Sequence, residues 1–173
     1  MKEANSFFDD FTDNLVGSLH TCCFARIERF DPVLMQADIT PLYEDDVPLI
    51  QNVPVNTIQT THFIIRAPYE VGDIVLVVFS QRDIDFVLYG DSEQSVRMMG
   101  IDDAVIVGGI IPFTKPLPVG YEDDLIIATK DDFNTKLVFR KDGSVLLEAL
   151  KDIDIISKEN VNITGQMINF NEG

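Results

Sequence analysis

Four apolar pairs, Leu137/Phe139, Val145/Leu147, Ile153/Ile155 and Val161/Ile163, recur every eight residues, and the members of each pair stand two apart. A fifth pair, Ile168/Phe170, follows after a step of seven. Side chains two apart on a strand share one face, so each pair describes a very short strand with one apolar side. Such a strand cannot bury that side alone. Repetition at a fixed period implies stacking, which joins small strips into one continuous core. The period is shorter than any helical solenoid repeat, so the stacked units are β. Asp142-Gly143 supplies a turn between the first two pairs, and residues 157–160 separate the third from the fourth. So few repeats in one chain would leave large open edges. Three chains wound together would close each rung with a neighbour. The ten paired residues are therefore the expected trimer core of an intertwined β-helix.

Upstream of the repeat the signal is also β. Val33, Met35, Ala37 and Ile39 alternate with more polar neighbours, and Asp31-Pro32 is a turn signal, so 21–30 and 33–40 form an expected hairpin. Val53-Pro54-Val55 reads as extended. Residues 63–65 follow, then a turn over 68–73, then the apolar run 74–79, expected to be buried on both faces. Gln81-Arg82-Asp83 marks a further turn, with 86–89 expected as a returning strand. Five or so strands at this spacing predict a small closed or partly closed barrel. Pro112, Pro116, Pro118 and Gly120 then crowd into a connector. At the other end, Ser6 with Asp9 resembles a capping box, and Phe8, Phe11, Leu15 and Leu19 recur at helical spacing. That helix either covers its own barrel or docks on a neighbouring subunit. The expected organisation is a helix in 1–20, a barrel in 21–112, and a connector with the repeat in 113–173.

Charge narrows the function. The chain carries 13 Lys and Arg against 29 Asp and Glu, a formal charge of −16. Residues 1–116 alone hold more than twice as many acidic as basic side chains. That sign opposes phosphate backbones and anionic lipid, so no nucleic-acid partner is expected. No apolar window is long enough for a membrane-spanning helix, and the acidic N-terminus does not resemble a signal peptide, so the chain is expected to stay in the cytoplasm where it is made. Cys22 and Cys23 are neighbours that a strand points to opposite faces, hence expected free thiols, one of them in the core. His20 beside them suggests a thiol–imidazole pair, but no nucleophile elbow or oxyanion motif accompanies it. The acidic groups Asp45-Asp46, Asp102-Asp103, Glu122-Asp123-Asp124 and Asp131-Asp132 read as a solvated face, and none has the alternating ligands of an EF-hand loop. The expectation is a chain with no catalytic residue and no cofactor.

Several stretches resemble one family. They are Thr21-Cys22-Cys23-Phe24-Ala25-Arg26-Ile27, Gln36-Ala37-Asp38-Ile39-Thr40-Pro41-Leu42, Val53-Pro54-Val55, and the run from Pro68 through Gly72-Asp73 and an apolar strand to Arg82-Asp83-Ile84-Asp85. In this order, ahead of the octad repeat, they resemble the central spike proteins of phage baseplates. The likeness covers about residues 20–111. It implies an all-β chain: an N-terminal OB-type (OB-fold) barrel closing the tail tube, then a trimeric β-helix forming the needle. It also implies a homotrimer in the virion tail tip, seated on a baseplate hub or tail tube protein and meeting the host cell envelope, with Phe8, Phe11, Leu15 and Leu19 as hub-docking candidates. Many relatives end in a His-x-His tip that holds iron. This chain ends Met167-Ile168-Asn169-Phe170-Asn171-Glu172-Gly173, and its two histidines are His20 and His62, so no apical metal is expected. The competing reading is an OB-type adaptor for a peptide or an oligosaccharide.

Overall fold

The computed structural model describes residues 19–43, 47–90, 96 and 98–169. Among the described residues the structure is nearly all β, with one curled half-barrel sheet and a single five-residue helix. It divides into two compact units, Met1–Lys115 and Pro116–Gly173.

In the first unit, β1 (Cys22–Asp31), β2 (Gln36–Pro41), β3 (Ile50–Pro54), β6 (Ile74–Phe79) and β7 (Ala104–Gly109) form a five-stranded sheet in the order β3-β2-β1-β6-β7. Every neighbouring pair is antiparallel. Register slips between Ile27 and Arg29, between Ala37 and Ile39, and between Leu76 and Val77 mark bulges, which increase local twist and curl the sheet. The curl brings β3 toward β7: Val55 makes a parallel bridge with Ile106, and the Asn56 N–H donates to the Ile106 carbonyl at 2.8 Å. Inside lie Ala25, Ile27, Ala37, Ile39, Ile50, Val53, Val55, Val75, Val77, Phe79, Ala104 and Ile106, all buried. Alternation selects them on β1, β2, β6 and β7, where every second apolar side chain points inward; on β3 Asn52, at φ +56, breaks the alternation, so Ile50 and Val53 stand three apart. A two-stranded hairpin, β4 (Ile58–Gln59) with β5 (Ile64–Ile65), pairs only with itself among the described residues.

The 21–40 hairpin forms as expected, but its second strand begins at Gln36 and not at 33. The Asp31 carboxylate accepts the N–H groups of Val33 (2.8 Å) and Leu34 (3.0 Å), which holds these residues in the turn. The turn over 68–73 also forms: Asp73 N–H donates to the Glu70 carbonyl, and Gly72 sits at φ +96, a conformation that favours glycine. The run Ile74–Phe79 is a strand, but only Val75, Val77 and Phe79 are buried; Ile74, Leu76 and Val78 stay half-buried on the outer face. The segment 86–89 is not a strand. It belongs to helix α1 (Asp85–Tyr89), whose start is fixed by Asp83 and Asp103 carboxylates accepting the N–H groups of Asp85 (2.9 Å) and Ile84 (3.2 Å). Gly90 ends it in the left-handed region.

In the second unit, β8 (Leu125–Ala128), β9 (Lys136–Phe139) and β10 (Val145–Glu148) form an antiparallel meander. The Asp142-Gly143 turn joins β9 to β10: Arg140 N–H donates to Ser144 O at 2.9 Å, the Asp142 carboxylate accepts from Ser144 N–H, and Gly143 sits at φ +88. Residues 149–169 form no strand within the chain.

Candidate functional site

The meander converts the first two apolar pairs into a two-dimensional patch. Leu147 lies opposite Leu137, and Val145 opposite Phe139. Across the other edge of β9, Ile127 faces Leu137 and Leu125 faces Phe139. Six apolar side chains thus form one ladder on one face. The ladder is uncovered: Phe139 is 43% exposed, Leu147 56% and Leu125 65%, while Leu137 at the centre is half-buried.

The opposite face has its own small core. Val138 is fully buried there and Phe133 nearly so. Lys136 points the same way as Val138 and is anchored three times. Its Nζ donates to the Phe133 carbonyl at 3.0 Å, pairs with Glu148 Oε2 at 2.6 Å, and stands 5.5 Å from the Tyr121 ring centroid. The Glu148 hydrogen bond, against the opposing effect of burial, holds the ammonium above the usual lysine range. One face of the meander is therefore closed and satisfied, and the other is open and apolar.

The later pairs of the repeat continue the open character. Ile153, Ile155, Val161, Ile163 and Ile168 are all exposed. Phe170 lies outside the described residues, as do Phe8, Phe11 and Leu15. The structure brings Leu137, Phe139, Val145 and Leu147 together and leaves the other described pairs outside any strand. Leu125 and Ile127 were not among the expected core residues. Their signal was present, since they too stand two apart, but the loop 129–135 breaks the octad spacing before Leu137.

Leu19, the remaining docking candidate, is half exposed at the rim of a groove of about 670 Å³ in the first unit. Phe24, Leu42, Tyr43, Leu76 and Phe79 also line it. His20 stands at the same rim, but its Nδ1–H donates to the Met99 carbonyl at 3.1 Å and its ring packs 5.4 Å from Phe79. Both cysteines are free. Cys22 is exposed, and Cys23 packs against the core, where burial first and Cys22 second push its thiol pKa up. A buried thiol of this kind is a poor nucleophile. Among the described residues, no three His, Cys, Asp or Glu side chains converge on one point.

Residues 25–109 match the family described as Phage protein Gp138 N-terminal domain. The match spans the half-barrel from β1 to β7 and supports a structural protein of a phage particle. No curated protein matches the chain.

Proposed function

We propose that this chain is the central spike of a contractile phage tail or of a phage-tail-like particle. In this reading the first unit is an OB-type barrel that caps the tail tube. The Pro116–Gly173 unit winds with two other copies into a β-helical needle that meets the cell envelope. The uncovered apolar ladder, continued by the exposed pairs from Ile153 to Ile168, carries the reading. Exposed apolar surface on this scale marks an interface, and a repeat with one chemistry on every rung is complementary to copies of itself. Five strands, antiparallel neighbours and a parallel contact between β3 and β7 favour the OB-type assignment. The match to a phage domain over 25–109 favours the particle.

The work of such a spike is mechanical. Sheath contraction drives the tube, and the needle must carry force without bending or unravelling. Intertwined chains with paired backbones and a dry axis resist both. No catalytic group enters this function. The last pair, Ile168 with Phe170, would close the needle as an apolar plug, with no tip metal. Native mass spectrometry of the intact chain tests the assembly: a trimer is expected, and a monomer overturns the proposal. Elemental analysis of tag-free protein tests the tip, where iron near one atom per three chains would overturn the plug.

The groove beside β1 favours a second reading, an OB-type adaptor holding an apolar peptide or an oligosaccharide. A monomer that binds such a ligand in that groove would establish it.

A further inference from the structure

In the first unit, acidic as a whole, two surfaces carry no charged side chain among their described residues. One is an arm, the β4–β5 hairpin. Ile58, Phe63, Ile64 and Ile65 are all exposed on it, and Phe63, beside its turn, is 78% exposed. Isolated two-stranded hairpins are marginal in water and need packing against something else. This arm is tied down only near its base among the described contacts: Arg66 Nη1 donates to the Pro32 carbonyl at 3.1 Å, beside the exposed Val33 and Leu34 of the β1–β2 turn. The second surface is the groove at Leu19, Phe24, Leu42, Tyr43, Leu76 and Phe79.

Arm and groove stand at opposite ends of one strand. The groove is built on the first residues of β1, and the arm is fastened just past its last residue. Ten residues of strand separate them, roughly 30 Å at the usual rise. The arm lines no part of its own groove.

Charge selects the occupant. A chain at −16 repels its own copies wherever acidic surfaces meet. Residues 47–65 contain no Asp, Glu, Lys or Arg, and neither do the described residues lining the groove. These two surfaces allow copies to approach without that penalty. We propose that the arm of one copy seats Phe63 in the groove of the next copy, so that the first units form their own ring in addition to any contact made by the repeat. An arm meeting a groove is a head-to-tail contact, and it closes into a ring when the rotation between copies is a whole fraction of a turn. The proposal rests on the multi-copy assembly argued above and adds a contact outside the repeat.

Cys22, exposed in the groove, supplies the probe. In the full-length chain, Phe63→Cys under mild oxidation by oxidised glutathione is expected to give a disulfide between copies, seen as a ladder on a non-reducing gel and removed by adding Cys22→Ser. No cross-link, or one that survives Cys22→Ser, would overturn the contact. The native thiol gives an independent measurement. Phe63→Asp, at a position too exposed to upset the fold, is expected to speed alkylation of Cys22 by iodoacetamide several-fold. Equal rates in the two proteins would also overturn it. Native mass separates this failure from the larger one: a trimer without the cross-link refutes the arm contact and leaves the spike, and a monomer refutes both.

Discussion

The two units use the same alternation of apolar residues to opposite ends. In the half-barrel, β1, β2, β6 and β7 send Ala25, Ile27, Ala37, Ile39, Val75, Val77, Ala104 and Ile106 into a shared interior, and all are buried. The sheet supplies its own cover by curling until β3 touches β7. In the second unit the meander is too narrow to curl. It buries Val138 and Phe133 on one side and leaves Leu125, Ile127, Phe139, Val145 and Leu147 in the open on the other. Period-two patterning thus specifies which side chains share a face. Whether that face is covered within the chain depends on how many strands can pair and bend.

The largest effect should come from the open region. Ile155 is 67% exposed. In the proposed needle, Ile155→Asp places three carboxylates about the axis, each costing several kcal/mol when buried unpaired. Trimers should vanish from native mass spectra while the half-barrel keeps its melting transition. The neighbouring Asp154→Asn, on the opposite face by alternation, should leave both readouts unchanged. Equal damage from the two substitutions would show that the inside and outside of the repeat are assigned wrongly.

The closed region should respond in the reverse manner. Ile27 is fully buried between β2 and β6. Ile27→Ala removes apolar contact and leaves a cavity, with an expected loss of about 2–5 kcal/mol in denaturant unfolding of the half-barrel. The same truncation at Ile163, exposed in the single chain, should leave that transition in place. A comparable loss from Ile163→Ala would mean that the units do not separate energetically as their packing indicates.

Much of this division was legible in the sequence. The hairpin after Cys22, the turn at Gly72-Asp73, the strand Ile74–Phe79 and the Asp142-Gly143 turn all follow from local chemistry that tolerates few alternatives. The segment 86–89 was misread because Phe86, Val87, Leu88 and Tyr89 are apolar throughout and fit a strand or a helix equally well. The Asp83 and Asp103 carboxylates decided it, and Asp103 reaches Ile84 from 19 residues away. Leu125 and Ile127 were missed for a related reason. A loop breaks the octad there, and only the β8–β9 register shows that the spacing was lost while the face was kept. Long-range pairing of this kind leaves no mark in a window of neighbours.

The smallest effect concerns a polar group that the alternating pattern hides. Asp38 lies on β2 within the register slip, almost fully buried. Its Oδ2 accepts from Arg29 Nε at 2.7 Å, and its Oδ1 accepts from the Asn52 N–H at 2.9 Å. The carboxylate therefore joins three strands at the bulge. The Arg29 hydrogen bond, which outweighs the opposing effect of burial, holds its pKa below the ordinary aspartate value of 3.8, with the Asn52 N–H and the Arg29 charge acting in the same direction. A carboxyl whose pKa is lower when folded than when unfolded stabilises the fold fully above the unfolded value, and that contribution fades as pH falls toward the folded one. Asp38→Asn keeps the shape and removes the charge, so it should cost about 1–3 kcal/mol at neutral pH. The gap between wild type and variant should stay constant down to the ordinary aspartate range and then narrow below it. Measuring that gap cancels the other carboxylates titrating in the same window, Asp31 and Glu28 among them, whose pKa values are also lowered. A gap near zero at every pH would place the value of Asp38 in its shape. The bulge would then be held by backbone pairing, and the closed unit would owe its curl to apolar packing alone.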